Sequence, residues 1–127
     1  MLKISVDGTI ATLTMNRPDK RNAMCEALLG DLDTFFSNPP KEVRVVIITG
    51  TAGHYCSGLD LSEHVHRSAE ENLYHSRAWH GVMEKMQFGG LAVVSAMFGA
   101  VIGGGLEIAA ATHVRIAEPS TIFQLPE

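Results

Sequence analysis

Cysteine is scarce in this 127-residue sequence, which contains only Cys25 and Cys56. One pair of cysteines does not form the multi-disulfide framework of a small secreted domain, and these two lack the close spacing of a zinc site. The scarcity favours a reducing compartment. We therefore expect a cytoplasmic protein that holds no resident metal.

Long apolar runs are also missing. The longest weakly polar stretch, residues 88–111, is interrupted repeatedly by glycine, which favours a buried core segment over a membrane span. The first residues, Met1 to Ile4, open directly into a strand-like pattern and lack the apolar run of a signal peptide. Neither a secretory signal nor a membrane helix is expected.

An excess of positive charge is the third absence. The sequence has ten Lys and Arg residues and fourteen Asp and Glu residues, which gives a net charge of −4. A nucleic-acid partner requires clustered cations that neutralise phosphates, so we do not expect one. An anionic ligand remains compatible, because a few backbone amides and one or two cations can hold a phosphate. With 46% apolar residues, the chain can form one compact domain.

The pattern of apolar residues predicts an α/β fold. Two alternating runs, 2–6 and 9–15, are joined by Asp7-Gly8 and predict a β-hairpin. Helical spacing predicts a helix over 23–37, and β-branched residues predict a buried strand over 43–49. The remaining predictions are a short helix with a capping box from Asp60 to Glu63, a helix from Ser68 to Gln87 that buries Leu73, Trp79, Val82, Met83 and Met86, strands at 92–97, 114–117 and 121–124, and a helix over 106–112 after a glycine-rich bend at 99–105.

Three glycines, Gly103 to Gly105, precede Leu106 and Glu107 at the predicted start of a helix. Such glycines leave backbone amides uncovered, and a helix N-terminus carries partial positive charge, so this segment is suited to hold an oxyanion. Glu107 follows Gly104 by three residues and can face the same cleft. Alternatively, the glycines only permit close packing of the helix on a strand. The glycine patterns of nucleotide-binding loops do not fit.

A second loop carries Gly58 directly before Leu59 and Asp60. The glycine can turn the Leu59 amide toward the same cleft. Two amides from separate loops suit a thioester whose carbonyl becomes an enolate. Taken alone, this loop is better interpreted as a plain turn with a helix cap.

Four segments, residues 16–24, 56–61, 99–107 and 123–127, together resemble the successive signatures of the enoyl-CoA hydratase/isomerase (crotonase) family. They occur in order and at family-like separations. The resemblance implies the crotonase fold, a spiral of ββα turns. Residues 1–127 would form a single truncated domain, the N-terminal part of that core, because they cover about half of the family's usual length. It also implies a homotrimer or a dimer of trimers.

The resemblance also assigns roles to individual residues. The two oxyanion amides would be those of Leu59 and Gly104, and the acid/base carboxylates would be Glu107 and Glu127. No metal is implied, and the only cofactor group is the coenzyme A of the substrate. Ser62 stands where some relatives carry a lysine near the CoA phosphates. The coenzyme A arm would be bordered by Arg21, Ala23, Ser57, Asp60 and Leu61.

The function implied is that of an enoyl-CoA hydratase, which adds water to an acyl-CoA thioester. Two glutamates favour this reaction, because isomerases of the family can work with one carboxylate. The alternatives are a Δ3,Δ2-enoyl-CoA isomerase, a hydratase or lyase for an unusual acyl group such as a methylthioacryloyl or aromatic thioester, a catalytically inactive acyl-CoA-binding protein, and an oligomerisation fragment. For the 127-residue chain alone, with Glu127 at its end, we expect little or no activity.

Overall fold

A computed structural model describes residues 1–126 and shows two β-sheets and three α-helices in that part of the chain. The strands are β1 (Leu2–Asp7), β2 (Ile10–Met15), β3 (Val45–Gly50), β4 (Ala92–Met97), β5 (Ala100–Ile102), β6 (Val114–Ala117) and β7 (Ile122–Gln124). The helices are α1 (Glu26–Ser37), α2 (Ala69–Phe88) and α3 (Gly104–Ala111), and two short 3-10 turns cover Pro18–Lys20 and Leu61–Glu63.

The larger sheet has the strand order β1-β2-β3-β4-β6. Strands β1 and β2 form the predicted antiparallel hairpin, in which Leu2 lies opposite Met15. The other pairs in this sheet are parallel, and parallel strands need a long crossover between them. Helices α1 and α2 lie in the two crossovers that join β2, β3 and β4. The predicted α/β order is therefore confirmed.

The core lies where the helices pack on the larger sheet. Period-two alternation in β2 and β3 turns one face of each strand inward, and helical spacing gives α1 and α2 one apolar stripe each. Each large apolar side chain buried there stabilises the fold by about 1.5–3 kcal/mol. The core includes Leu13, Met15, Leu28, Leu32, Ile48, Trp79, Val82, Met86 and Ile108.

Three buried hydroxyl groups connect the core to the loop that precedes Cys56. The Tyr55 hydroxyl and Ser95 Oγ are 2.8 Å apart, and Thr112 donates a hydrogen bond of 3.1 Å to the same Ser95 oxygen. Burial raises the pKa of the Tyr55 phenol above its ordinary value. These bonds attach the loop to β4 and to the residue after α3, so both predicted oxyanion segments are anchored to the sheet.

The predicted glycine-rich bend over 99–105 is wrong in part, because Ala100–Ile102 forms strand β5. This strand pairs with β7, and it also bridges Cys56. The Cys56 amide donates to the Ala100 carbonyl at 3.0 Å, and the Ile102 amide donates to the Cys56 carbonyl at 3.0 Å. Both partners are distant in sequence, so local pattern could not reveal them. Helix α3 also begins earlier than predicted, with Gly103 as its N-cap at a φ of +50°.

Two other helix predictions need correction. The helix predicted from residue 23 begins at Glu26, because Met24 pairs with Leu59 and donates its amide to the Gly58 carbonyl at 2.7 Å. Leu73 was predicted to be buried, but it is 50% exposed. The first turns of α2 extend past the core, and the buried face begins at Trp79.

The helix predicted from Ser68 begins with a full capping box, because the Glu71 amide donates to Ser68 Oγ at 3.1 Å and the Ser68 amide donates to the Glu71 carboxylate at 2.6 Å. The box predicted from Asp60 to Glu63 forms only in part. The Asp60 carboxylate caps the short helix by accepting from the Ser62 amide at 3.0 Å, but the Asp60 amide donates to the Met24 carbonyl and not to Glu63. The Glu63 carboxylate instead accepts a hydrogen bond from the Glu26 amide at 3.0 Å. Within residues 1–126, no helix combines the length and apolarity needed to cross a bilayer.

Candidate active site

The two predicted oxyanion residues lie on loops that contact each other. A Cβ built on Gly58 would lie 3.8 Å from the Gly104 nitrogen and 3.0 Å from the Ile102 carbonyl oxygen. The Leu59 side chain approaches from the same direction, because its Cδ2 is 3.4 Å from the Cβ position of Gly104. Gly58 has a φ of +100°, a conformation that residues with a Cβ atom rarely adopt. A glycine is thus required where the two loops meet.

The amides of Leu59 and Gly104 have no acceptor among the residues that the structure describes. The parallel bridge to Met24 uses the carbonyl before Leu59 and the amide after it, so the N–H of Leu59 itself points away from Met24. Gly104 is the first residue of α3, where an N–H lacks an acceptor inside the helix. Neither donor is therefore used by a hydrogen bond within residues 1–126.

Glu107 lies on the first turn of α3 with an exposed side chain. Its carboxylate makes no hydrogen bond or ion pair with residues 1–126. It lines a groove of about 320 Å³ between α2 and α3, and Trp79 lines the same groove. The indole atoms Cζ2 and Cη2 lie 3.2 Å from the Cβ position of Gly104. Trp79 thereby connects the groove that holds Glu107 with the glycine loop.

Glu127 lies outside the described residues, so its predicted place in the site stays a prediction. The strand before it approaches the glycine loop, because the Gly103 amide donates to the Gln124 carbonyl at 2.9 Å. The chain therefore reaches Gln124 beside the N-cap of α3.

The five residues predicted to border coenzyme A meet at one junction. Ser57 donates its hydroxyl to the Lys20 carbonyl at 3.0 Å and its amide to the Arg21 carbonyl at 3.1 Å. Arg21 and Leu61 are exposed, whereas Ala23 and Asp60 are buried. Their part in binding coenzyme A stays a prediction.

Arg17, which the sequence analysis included only in the motif over 16–24, connects the parts of this junction. Its guanidinium donates to the Asp60 carboxylate at 2.6 Å and to the Ala23 carbonyl at 3.1 Å. The other Asp60 oxygen accepts from the Ser62 hydroxyl at 2.6 Å and from the Ser62 amide at 3.0 Å. The hydrogen bond from the Ser62 side chain, followed by that from Arg17, holds the pKa of Asp60 well below its usual range.

Asn22 is a second residue that sequence reasoning missed. It is fully buried and has a φ of +59°, which asparagine tolerates better than most residues. Its side-chain amide donates to the carbonyls of Thr51 and His54 at 3.0 and 2.8 Å, and its oxygen accepts from the Arg17 amide at 2.9 Å. These bonds fix the loop that leads to Leu59. The only sequence signal for this role was the motif over 16–24.

Each of the three glycines before Glu107 has its own structural reason. Gly103 adopts a positive φ, and Gly104 exposes an amide beside Trp79. A Cβ on Gly105 would collide with the carbonyl oxygen of Cys56 and lie 2.9 Å from its Cβ, so this glycine permits close packing. The packing interpretation of the triplet is thus confirmed at Gly105, whereas the oxyanion role of Gly104 stays a prediction. Burial raises the pKa of the Cys56 thiol to about 11, so Cys56 is not an activated nucleophile.

Comparison with known proteins places this arrangement in a family. The family model described as enoyl-CoA hydratase/isomerase matches residues 5–127. The chain belongs to this family. It is 35% identical over 122 residues to the mitochondrial enoyl-CoA hydratase domain-containing protein 2 of Bos taurus, covering 93% of this chain and 41% of that protein.

Solved structures of family members have the same fold. A structure from Rhodopseudomonas palustris, provisionally assigned as an enoyl-CoA hydratase, is 44% identical with a TM-score of 0.94, covering 99% of this chain and 49% of that one. An enoyl-CoA hydratase from Bacillus anthracis is 27% identical with a TM-score of 0.91, covering 98% and 50%. This chain therefore has the crotonase fold and forms part of its core, since it spans about half the length of the relatives it matches.

The Asp60 carboxylate is expected to make stability depend on pH. Its pKa is lower in the folded chain than the ordinary value of about 3.9, so its contribution is present above that value and is lost as the pH falls through the folded pKa. Asp60→Asn is therefore expected to lower the free energy of unfolding near neutral pH, and the difference from the parent chain is expected to shrink toward about pH 3. Urea unfolding across this range measures it.

Asp19→Asn is the matched control, because Asp19 is an exposed carboxylate in the adjoining turn. It removes one negative charge without removing the Arg17–Asp60 pair. A difference between Asp60→Asn and the parent that stays constant from neutral to acid pH would contradict the assignment.

Proposed function

We propose that the protein is an enoyl-CoA hydratase that adds water across the 2,3 double bond of an acyl-CoA thioester. Membership of the enoyl-CoA hydratase/isomerase family supports a lyase or isomerase acting on acyl-CoA thioesters. The observation that carries the proposal is the pair of amides at Leu59 and Gly104. They lie on contacting loops, lack acceptors among residues 1–126, and are connected through Trp79 to the groove that holds Glu107.

The two amides serve as the oxyanion hole in this proposal. When water attacks the β-carbon, the electron pair of the double bond shifts toward the carbonyl and forms an enolate oxygen. The N–H groups of Leu59 and Gly104 donate hydrogen bonds to that oxygen. Gly58 and Gly104 are buried, which lowers the local dielectric constant and strengthens such bonds. Because the donors are fixed by the backbone, they need no rearrangement as charge develops.

Two carboxylates carry out the proton transfers. One accepts a proton from water as its oxygen bonds to the β-carbon, and the other donates a proton to the α-carbon, so the product gains one H and one OH. Glu107 supports this role because its carboxylate has no partner among residues 1–126 and faces the groove. Glu127 is assigned from the family resemblance. Two carboxylates that share one water titrate as a pair.

The junction around Arg17 is the proposed border of the coenzyme A arm. Asp60 is neutralised internally by Arg17, which leaves the exposed Arg21 as a cation that can meet a phosphate. Ser57 and Leu61 offer a hydroxyl and an apolar surface next to it. We also propose that the complete protein forms a homotrimer or a dimer of trimers. Light scattering of the complete protein tests this oligomeric state.

Turnover by the complete protein tests the reaction. Hydration of but-2-enoyl-CoA removes the absorbance of its conjugated thioester, whereas isomerisation of a 3-enoyl-CoA creates that absorbance. We expect hydration by the parent protein. Binding of an acyl-CoA by calorimetry with neither reaction would instead indicate an acyl-CoA-binding protein.

Glu127→Gln is expected to separate hydratase from isomerase. Hydration needs two proton-transfer groups, so its rate is expected to fall by about 10²–10⁴-fold, the usual worth of one such group, and at least tenfold more than the rate of isomerisation. Both rates are measured on the same preparation. Glu118→Gln, an exposed glutamate between β6 and β7, is the control. Unchanged hydration in Glu127→Gln would remove Glu127 from the proton transfers and contradict the two-carboxylate mechanism.

A further inference from the structure

Trp79 is held rigidly between the glycine loop and its own helix. The side chain is 5% exposed, and its Cζ2 and Cη2 atoms lie 3.2 Å from the Cβ position of Gly104. One turn earlier on α2, the His75 ring lies 6.5 Å from the indole at an interplanar angle of 32°. His75 in turn meets the edge of His64 at 5.0 Å. Because packing surrounds the indole, it has little room to move.

Trp79 also stands at one end of the groove between α2 and α3. Met83 and Gln87 follow it at intervals of one turn, and Ala110 and Ala111 form the opposite wall. From Trp79 to Gln87 the groove runs roughly 12 Å along the helix, at 1.5 Å per residue. Of the three atoms nearest to the Cβ position of Gly104, two belong to Trp79, which also lines the groove. An acyl group whose thioester lies at Gly104 meets the indole first.

We propose that Trp79 determines which acyl groups this site accepts: it admits linear 2-enoyl chains and excludes chains with a branch at carbon 2. A linear chain passes between the indole edge and Glu107 into the groove, where Met83 and Ala110 offer apolar contacts. A methyl group on carbon 2 would lie beside the thioester and meet the indole, which is buried and packs against the His75 ring as well as the glycine loop. This inference rests on the proposed hydratase function.

Replacing the indole tests the inference in the complete protein. For Trp79→Leu, the ratio of kcat/KM for 2-methylbut-2-enoyl-CoA to that for but-2-enoyl-CoA is expected to rise by at least about tenfold, because room for one extra carbon in a pocket is worth roughly 10–200-fold. Trp79→Phe is expected to raise the ratio less than Trp79→Leu does, because a phenyl ring still fills part of the space of the indole. Tyr74→Leu is the control: Tyr74 is an aromatic residue on α2 that lines the separate groove against α1, and its loss is expected to leave the ratio unchanged.

The outcomes separate the inference from the proposed function. A ratio that stays at the parent value in folded Trp79→Leu and Trp79→Phe overturns the inference alone, and so does a parent enzyme that hydrates the branched thioester as fast as the linear one. Thermal unfolding checks that each variant is folded, and Trp79→Phe retains the test if the leucine variant is not. A parent enzyme without turnover of the linear thioester overturns the proposed function and the inference with it.

Discussion

Glu107→Gln is expected to lower kcat for hydration of but-2-enoyl-CoA by about 10²–10⁴-fold, the usual worth of one positioned proton-transfer group. Glutamine has the same shape, but it neither accepts nor donates the proton that the reaction moves. The KM is expected to change little, because the lost interaction belongs to the transition state. Stability is expected to stay the same, since the Glu107 carboxylate is exposed and has no partner among residues 1–126.

Steady-state kinetics and thermal unfolding of the complete protein measure both expectations. Glu84→Gln is the matched control, because Glu84 is an exposed helical glutamate on α2 that lines neither groove. If Glu107→Gln hydrated the thioester within tenfold of the parent rate, Glu107 would not be an acid/base group and the proposed mechanism would be wrong.

Removing a single oxyanion donor is expected to have the second-largest effect. Replacing Leu59 by its α-hydroxy acid converts the amide N–H to an ester oxygen and leaves the side chain unchanged. We expect kcat/KM to fall by about 10²–10³-fold, the measured range for loss of one such donor. The fold is expected to persist, because the Leu59 N–H makes no hydrogen bond within residues 1–126.

The same ester substitution at Ala69 controls for the chemistry of the replacement. Ala69 is the first residue of α2, where the N–H has no acceptor inside the helix. Kinetics of the two esters are compared at matched stability. Equal activity of the Leu59 ester and the parent would remove Leu59 from the oxyanion hole.

The sequence predicted those parts of the fold that depend on short-range periodicity. Alternation in the hairpin placed Leu13 and Met15 correctly in the core, and helical spacing did the same for Val82 and Met86. These predictions succeeded because one face of each element must be buried, which fixes the period of its apolar residues.

Features that depend on partners far away in the chain escaped prediction. Strand β5 exists because Cys56 and β7 both pair with it, and Met24 leaves the predicted helix because it pairs with Leu59. Glu63 fits a capping pattern, but its carboxylate binds the Glu26 amide instead. Local spacing contains no information on such pairings.

The candidate site was predicted unevenly. Motifs singled out Leu59, Gly104 and Glu107 as candidates; the structure brings the loops of the first two into contact, and their roles stay a prediction. Trp79 was predicted only as a core residue, because a helical stripe does not show that its buried end reaches a glycine on another helix. Arg17 was likewise predicted only as part of the motif over 16–24, because its carboxylate partner lies 43 positions away.

Two parallel bridges limit how the loop around Leu59 can change. Leu59 pairs with Met24, and Cys56 pairs with Val101, so the number of residues between Cys56 and Leu59 sets the position of the Leu59 amide. One residue inserted between Cys56 and Asp60 would break one of the bridges. Insertions are expected to be accommodated instead beyond this anchored stretch, at the exposed Val65 and His66 before α2.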